Sequence, residues 1–270
     1  MRFQSQDVSL ESLPHPCDYS QLGSGATMRH NRSTRRRRRL QRQQQRRQRT
    51  KRGPPGCARR GEAAKEVFEL DGIEIRELRR DRDDIAAAAR VAARALRDNP
   101  THLVMHGDDP QRRFDGLYSL CKGILTVNPA PALAAIQDGA VVGVLNAAPP
   151  GRCRPSLLQQ LRMAPALFRL RSDVIVRMSR YGTAWGRHDP KERHWHLGPV
   201  AVMPGLQGLG IGGHMLDVFC GRLDDTGTLA YLETDTPENV TFYHRHGFET
   251  VGEIDVLGVH TWFMSRRVRQ

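Results

Sequence analysis

The chain has 270 residues, 39% of them apolar, enough for one large folded unit or two small ones, and a formal net charge of +13. Residues 1–66 hold 17 of the 42 basic and 5 of the 29 acidic side chains, which is +12 of the total. The remaining 204 residues are nearly neutral, so the charge gives no argument that the folded part binds nucleic acid or membrane. No apolar run reaches the roughly 18 residues needed to span a bilayer, and the first 30 residues lack the apolar core of a secretory signal. Five widely spaced cysteines, Cys17, Cys57, Cys121, Cys153 and Cys220, form no C-x-x-C pair. The expectation is a cytoplasmic protein with free thiols and no metal site.

Residues 29–60 are an arginine-rich, low-complexity tract without apolar groups to offset the entropy of ordering, and are expected to be disordered. Clustered arginines can contact nucleic acid weakly by displacing counterions from phosphates. No aromatic residue is interleaved to stack on bases, and a solvated extension explains the tract as well. The domain division is therefore a 1–66 arm and a 67–270 folded domain.

From Val67 the composition becomes that of an α/β domain. Ile73 and Ile75 alternate with charged residues and predict a first strand. Asp83 or Asp84 is the expected cap of an alanine-rich helix ending near Asn99 and Pro100. Phe114, Leu117, Tyr118, Cys121, Ile124 and Leu125 recur at helical spacing, and residues 132–150 read as two strands joined by an Asp138-Gly139 turn. Between about 155 and 188, Leu167, Leu170, Val174, Met178, Tyr181 and Trp185 step by three or four and predict a helical insert with one apolar stripe, either packed on the core or closing over a substrate. A strand over 194–203, a helix over 210–225, a strand over 228–235, a short helix over 237–247 and a closing hairpin follow. The sum is an α/β (α+β) fold with a mixed central sheet of six to seven strands and flanking helices.

Two segments carry chemistry. In the first, Val200, Ala201 and Val202 end a strand, Pro204 stops it, and a turn with Gly208, Gly210, Gly212 and Gly213 leads into a helix. Such a turn lets the backbone approach a ligand, and the helix start favours a pyrophosphate. A P-loop is excluded because no Gly-Lys-Ser/Thr follows, and a dinucleotide fingerprint because the pattern is Q-x-x-G-x-G late in the chain. In the second, Asn239 and Tyr243 stand four apart on one helix face, with Phe242 turned inward, Pro237 in the first turn and Thr236 as cap.

The V-A-V-x-P strand, Gln207-x-x-Gly210-x-Gly212 and Asn239-x-x-Phe242-Tyr243-x-x-x-Gly247-Phe248 resemble the acetyl-CoA site of the GNAT superfamily, in that family's order and spacing. Within it, the 194–202 and 231–243 segments look closest to puromycin N-acetyltransferase. The resemblance implies a GNAT fold and an N-acetyltransferase with acetyl-CoA as co-substrate. It implies a cradle of main-chain amides from Gln207, Gly208, Leu209, Gly210, Ile211, Gly212 and Gly213, and pantetheine paired along Val200, Ala201 and Val202. Asn239 and Phe242 would hold the pantetheine end, and Tyr243 would protonate the departing thiolate. Leu209 stands where relatives often carry a basic residue.

An amine attacking a thioester must lose a proton, and His196 and Glu233, on the strands expected to flank the acceptor, are the candidate bases, followed by His194 and Asp235. The expected acceptor is the primary amine of a small molecule. A protein N-terminus or lysine is the alternative, as is a nucleic-acid-binding protein with a regulatory CoA-binding domain.

Overall fold

The computed structural model describes residues 68–70, 72–153, 156–168 and 170–267. The arginine-rich tract lies outside these residues, as do Cys17 and Cys57. In chain order the elements are β1 (Phe68–Leu70), β2 (Ile73–Glu77), α1 (Arg82–Leu96), α2 (Pro100–His106), α3 (Pro110–Val127), β3 (Leu133–Gln137), β4 (Ala140–Ala148), α4 (Leu157–Leu167), α5 (Ser172–Trp185), β5 (His194–Val202), α6 (Ile211–Thr226), β6 (Leu229–Thr234), α7 (Pro237–Arg245), β7 (Glu249–Val256) and β8 (Val259–Arg266).

The strands form one mixed sheet in the order β1-β2-β3-β4-β5-β6-β8-β7, in which β5 and β6 are the parallel pair. The three-residue β1 adds an eighth strand at the edge, too short to carry a pattern of its own. Period-two alternation builds a layer on each face. Leu133 and Ala135 join the core under α6, while Ala134 and Ile136 join the core under α1 and α3. Alanines suit α1 because it lies close against the sheet, with Ala88, Ala89, Ala92 and Ala93 fully buried. Between β3 and β4 the Asp138-Gly139 turn has positive φ at both residues, 49° and 77°, as a tight hairpin requires.

Three local expectations are corrected. The cap of α1 is Asp81, whose Oδ1 accepts from the Asp84 N–H at 2.8 Å, and Asp84 itself is buried against Arg79 and Arg76. Pro100 does not simply end α1 but opens α2, because a first-turn proline lacks a donor that would be orphaned anyway. The insert is two helices rather than one stripe. Leu167 ends α4, whereas Leu170, Met178 and Trp185 pack with Val174 and Tyr181 of α5 onto Met105, Ile254 and Val256. The Tyr181 hydroxyl donates to the Val256 carbonyl at 2.9 Å and ties α5 to β7.

The feature that makes a site is the divergence of β5 from β6. They pair only from His194 to His196, against Leu229 to Tyr231, leaving the rest of β5 without a partner on that side. A register shift between Leu145 and Ala147 bends β4 against β5 at this point. Buried Asn146 holds the bend, its Nδ2 donating to the Gly198 carbonyl at 2.7 Å, and Asn128 Nδ2 donates to Asn146 Oδ1 at 2.7 Å and to the Ala147 carbonyl at 2.8 Å. Among the described residues, no helix is long and apolar enough to cross a membrane.

Candidate functional site

Past His196 the open side of β5 presents unpaired main chain. Met203 N–H donates to the Val142 carbonyl at 2.8 Å, and Val202, Ala201 and Val200 stand opposite Gly143, Val144 and Leu145. The alternation of an antiparallel ladder therefore turns the N–H and C=O of Val200 and Val202 away from β4 and toward the gap beside β6. Gln207 Nε2, which donates to the Val202 carbonyl at 3.2 Å, reaches it from that side.

A groove of about 650 Å³ runs along this edge to the start of α6. Val200, Ala201, Val202, Gln207, Gly208, Gly210, Ile211, Gly212 and Gly213 line it, with Asn239, Phe242 and Tyr243 of α7 opposite. Gly208 and Gly210 have φ of 78° and 91°, where an L side chain is strained, and an added Cβ on Gly208 would meet only open space. Gly210 caps α6 without a side-chain hydrogen bond, so the first amides of the helix are free to receive an anion. The residues present thus fit a pyrophosphate carried on a long thin arm. Leu209 is the exception: its side chain is 64% exposed and does not line the groove.

A second cavity, of about 310 Å³, lies between β5, β6 and the helices α2 and α5. It shares Leu96, Asn99, Val200, Asn239 and Tyr243 with the groove, so the two meet around the Tyr243 side chain. Met178, Tyr181 and Trp185 of the insert cover it, and Glu233, Thr234 and Asp235 form its β6 side. Among its polar edges, His102 Nδ1 and Trp185 Nε1 are buried without a hydrogen-bond partner among the described residues. Burial lowers the His102 pKa to about 4, so its ring is neutral at pH 7.

Tyr243 is buried, packed edge-on against Phe242 and Phe248, and burial pushes its pKa well above that of a free phenol. Its hydroxyl therefore stays protonated at neutral pH, as a proton donor must. Thr236 stands at the cap position of α7 but makes no side-chain cap bond, leaving Pro237 to open the helix.

Of the candidate bases, Glu233 lines the cavity and His196 does not. The Glu233 side chain is 6% exposed, and its Oε2 accepts from His196 Nε2 at 2.8 Å. Burial works to lower the His196 pKa, but hydrogen bonds with Asp189, Cys153 and Glu233 outweigh it and hold the ring well above the ordinary histidine range. His196 thus stands behind Glu233, one nitrogen against its carboxylate and the other against Asp189, outside the residues that line the cavity. Asp235 also lines the cavity, with Oδ2 accepting from the Thr101 N–H at 2.8 Å as the cap of α2. His194 faces away, donating from Nδ1 to the Glu192 carbonyl at 2.8 Å.

Sequence reasoning missed several lining residues. His246 follows Asn239 by seven positions on the same helical face, a periodicity that could have revealed it. Arg245, Leu96 and Asn99 carried no such signal, because only the packing of α1 and α7 brings them to the groove.

Comparison with known proteins places this geometry in context. Residues 93–248, more than half of the chain, match the family model described as acetyltransferase (GNAT) family. Among solved structures, an acetyltransferase from Corynebacterium glutamicum described as histone acetyltransferase HPA2 and related superposes with a TM-score of 0.55 at 20% identity, covering 73% of this chain and 96% of that one. A GNAT family acetyltransferase from Brucella melitensis in complex with acetyl-CoA matches at a TM-score of 0.41 and 18% identity, over 73% of this chain and 89% of that one. The ribosomal-protein-S18-alanine N-acetyltransferase from Escherichia coli matches at 0.44 and 12%, over 73% and 95%.

Proposed function

The chain belongs to the acetyltransferase (GNAT) family, and on that premise we propose that it moves an acetyl group from acetyl-CoA to the primary amine of a small molecule. The observation that carries this reading is the meeting of a long groove and a small covered cavity at Val200, Asn239 and Tyr243. The groove has the length and glycine-lined end for acetyl-CoA, and the cavity takes the amine.

In this reading the pyrophosphate rests on the free amides at the start of α6, and pantetheine pairs with the outward main chain of Val200 and Val202. The thioester carbonyl then lies at the junction, where the Val200 N–H stabilises the oxyanion. Glu233 takes a proton from the ammonium, and His196 holds the carboxylate in place. Glu233 passes that proton to solvent, the nitrogen lone pair forms the new C–N bond, and Glu233 takes the second proton from the attacking nitrogen as the tetrahedral intermediate collapses with loss of the C–S bond and Tyr243 gives its proton to the thiolate. Release of the Glu233 proton to solvent and reprotonation of Tyr243 from the groove close the cycle.

A small acceptor is favoured over a polypeptide because the cavity that α5 helps to line lies at the lower end of ligand-pocket volumes, about 310 Å³. The buried Trp185 Nε1 and His102 Nδ1 suit an acceptor with hydroxyl or ring heteroatoms, as in amino sugars and puromycin-like aminonucleosides. Release of free thiol from acetyl-CoA tests this with a panel of such amines beside peptides bearing a free N-terminus or lysine. Acceleration by one or more small amines is expected, and acceleration by peptides alone overturns the choice of acceptor.

Arg245, exposed at the groove, supplies the phosphate-facing charge that Leu209 does not. Steady-state kinetics of Arg245→Ala are expected to show an acetyl-CoA KM raised about tenfold at low salt, with a smaller effect at high salt, and kcat unchanged.

A further inference from the structure

The two stems of the helical insert return to the same point. Cys153, in the segment before α4, and Asp189, in the segment after α5, both meet His194 and His196 at the start of β5. Cys153 Sγ, one nitrogen of His194 and one of His196 all lie within 4.8 Å of one another. Cys153 Sγ is 3.4 Å from His194 Nε2, while Asp189 Oδ1 is 3.2 Å from His194 Nε2 and 3.5 Å from His196 Nδ1.

Hydrogen bonds on the far side of each ring fix what these atoms are. A carbonyl oxygen can only accept, so His194 Nδ1 carries a proton for the Glu192 carbonyl and leaves Nε2 as a lone pair when neutral. His196 Nε2 likewise donates to Glu233 Oε2 and turns Nδ1 inward. Asp189 Oδ1 is buried, with these two rings as its neighbours. A sulfur and two imidazole nitrogens thus converge within 4.8 Å of one another, with the Asp189 carboxylate against both rings.

We propose that Cys153, Asp189, His194 and His196 form a tetrahedral zinc site that pins both stems of the insert to β5. Zinc bound about 2.0 to 2.3 Å from its ligands sets neighbouring ligand atoms about 3.3 to 3.8 Å apart, and the three separations above fall in or next to that range. Thiolate and imidazole select zinc over magnesium or calcium, which demand oxygen ligands. The Glu192 carbonyl and the Glu233 carboxylate behind the two rings are the outer partners that orient ligating histidines. Binding releases the Cys153 thiol proton and any proton on the imidazoles to solvent. Four protein ligands leave no open position, so the ion is structural. Residue spacing does not announce such a site, because its members are gathered by the fold, with Cys153 standing 41 residues before His194, and not by a short repeat.

The test uses the full chain, freed of any histidine tag, stripped with chelator and titrated with cobalt(II) and then zinc. The expected result is one cobalt per chain with intense tetrahedral d–d bands and a thiolate-to-cobalt charge-transfer band, both erased by zinc. Cys153→Ser should remove the charge-transfer band, and Glu233→Gln should weaken zinc binding roughly tenfold through loss of its hold on His196. A weak octahedral spectrum, absence of saturable binding in the unmodified chain, or a charge-transfer band that survives in Cys153→Ser overturns the proposal. None of these readouts depends on acetyl transfer.

Discussion

Tyr243→Phe is expected to lower kcat about 10²-fold or more while leaving the KM for acetyl-CoA within about threefold, as loss of a general acid does. The ring stays packed against Phe242 and Phe248, at centroid distances of 5.1 and 5.6 Å, so the groove keeps its shape and loses only the hydroxyl. A departing thiolate must then take its proton from water. Burial raises the Tyr243 pKa, so the acid form persists as pH rises and its loss contributes no falling limb to the unmodified enzyme until above about pH 10. Rapid-quench and steady-state kinetics with one small amine check this. An unchanged kcat with chemistry rate-limiting would remove Tyr243 from the mechanism.

Glu233→Gln should cut kcat/KM for the amine about 10²- to 10³-fold with acetyl-CoA affinity preserved, because Glu233 lines the acceptor cavity and not the groove. The residual rate is expected to climb with pH as more amine is present without its extra proton, so the variant recovers toward the unmodified enzyme in alkaline buffer. Asp235 is the other carboxylate in the cavity, but its oxygens are engaged by the Thr101 N–H and by Asn99 Nδ2. Equal activity of Glu233→Gln across the pH range would shift the proton to Asp235 or to water.

The parts of this molecule legible in its sequence are those whose physics is local. The Asp138-Gly139 hairpin follows from a turn that needs positive φ, and Gly205, Gly208 and Gly210 before α6 stand at positions of positive φ. Asn239 and Tyr243 share a face by helical geometry alone. What stayed hidden depends on distant segments meeting. The side-chain cap of α2 comes from Asp235, 134 residues away, a contact that no local pattern around Asn99 and Pro100 shows. The place of the His196 ring between Asp189 and Glu233 is likewise set by segments distant in the chain. The break after Leu167 was equally invisible, since the residues on either side keep the three-and-four spacing of one helix.

The most direct test of the central claim is a calorimetric titration of acetyl-CoA into the full chain and into Gly210→Asp. At a φ of 91° an aspartate is strained, and its charge stands at the helix start where the pyrophosphate belongs. Saturable binding to the unmodified chain, lost in a variant that remains folded by circular dichroism, is the predicted result. Equal binding by both, or none by either, contradicts the assignment of the groove to acetyl-CoA.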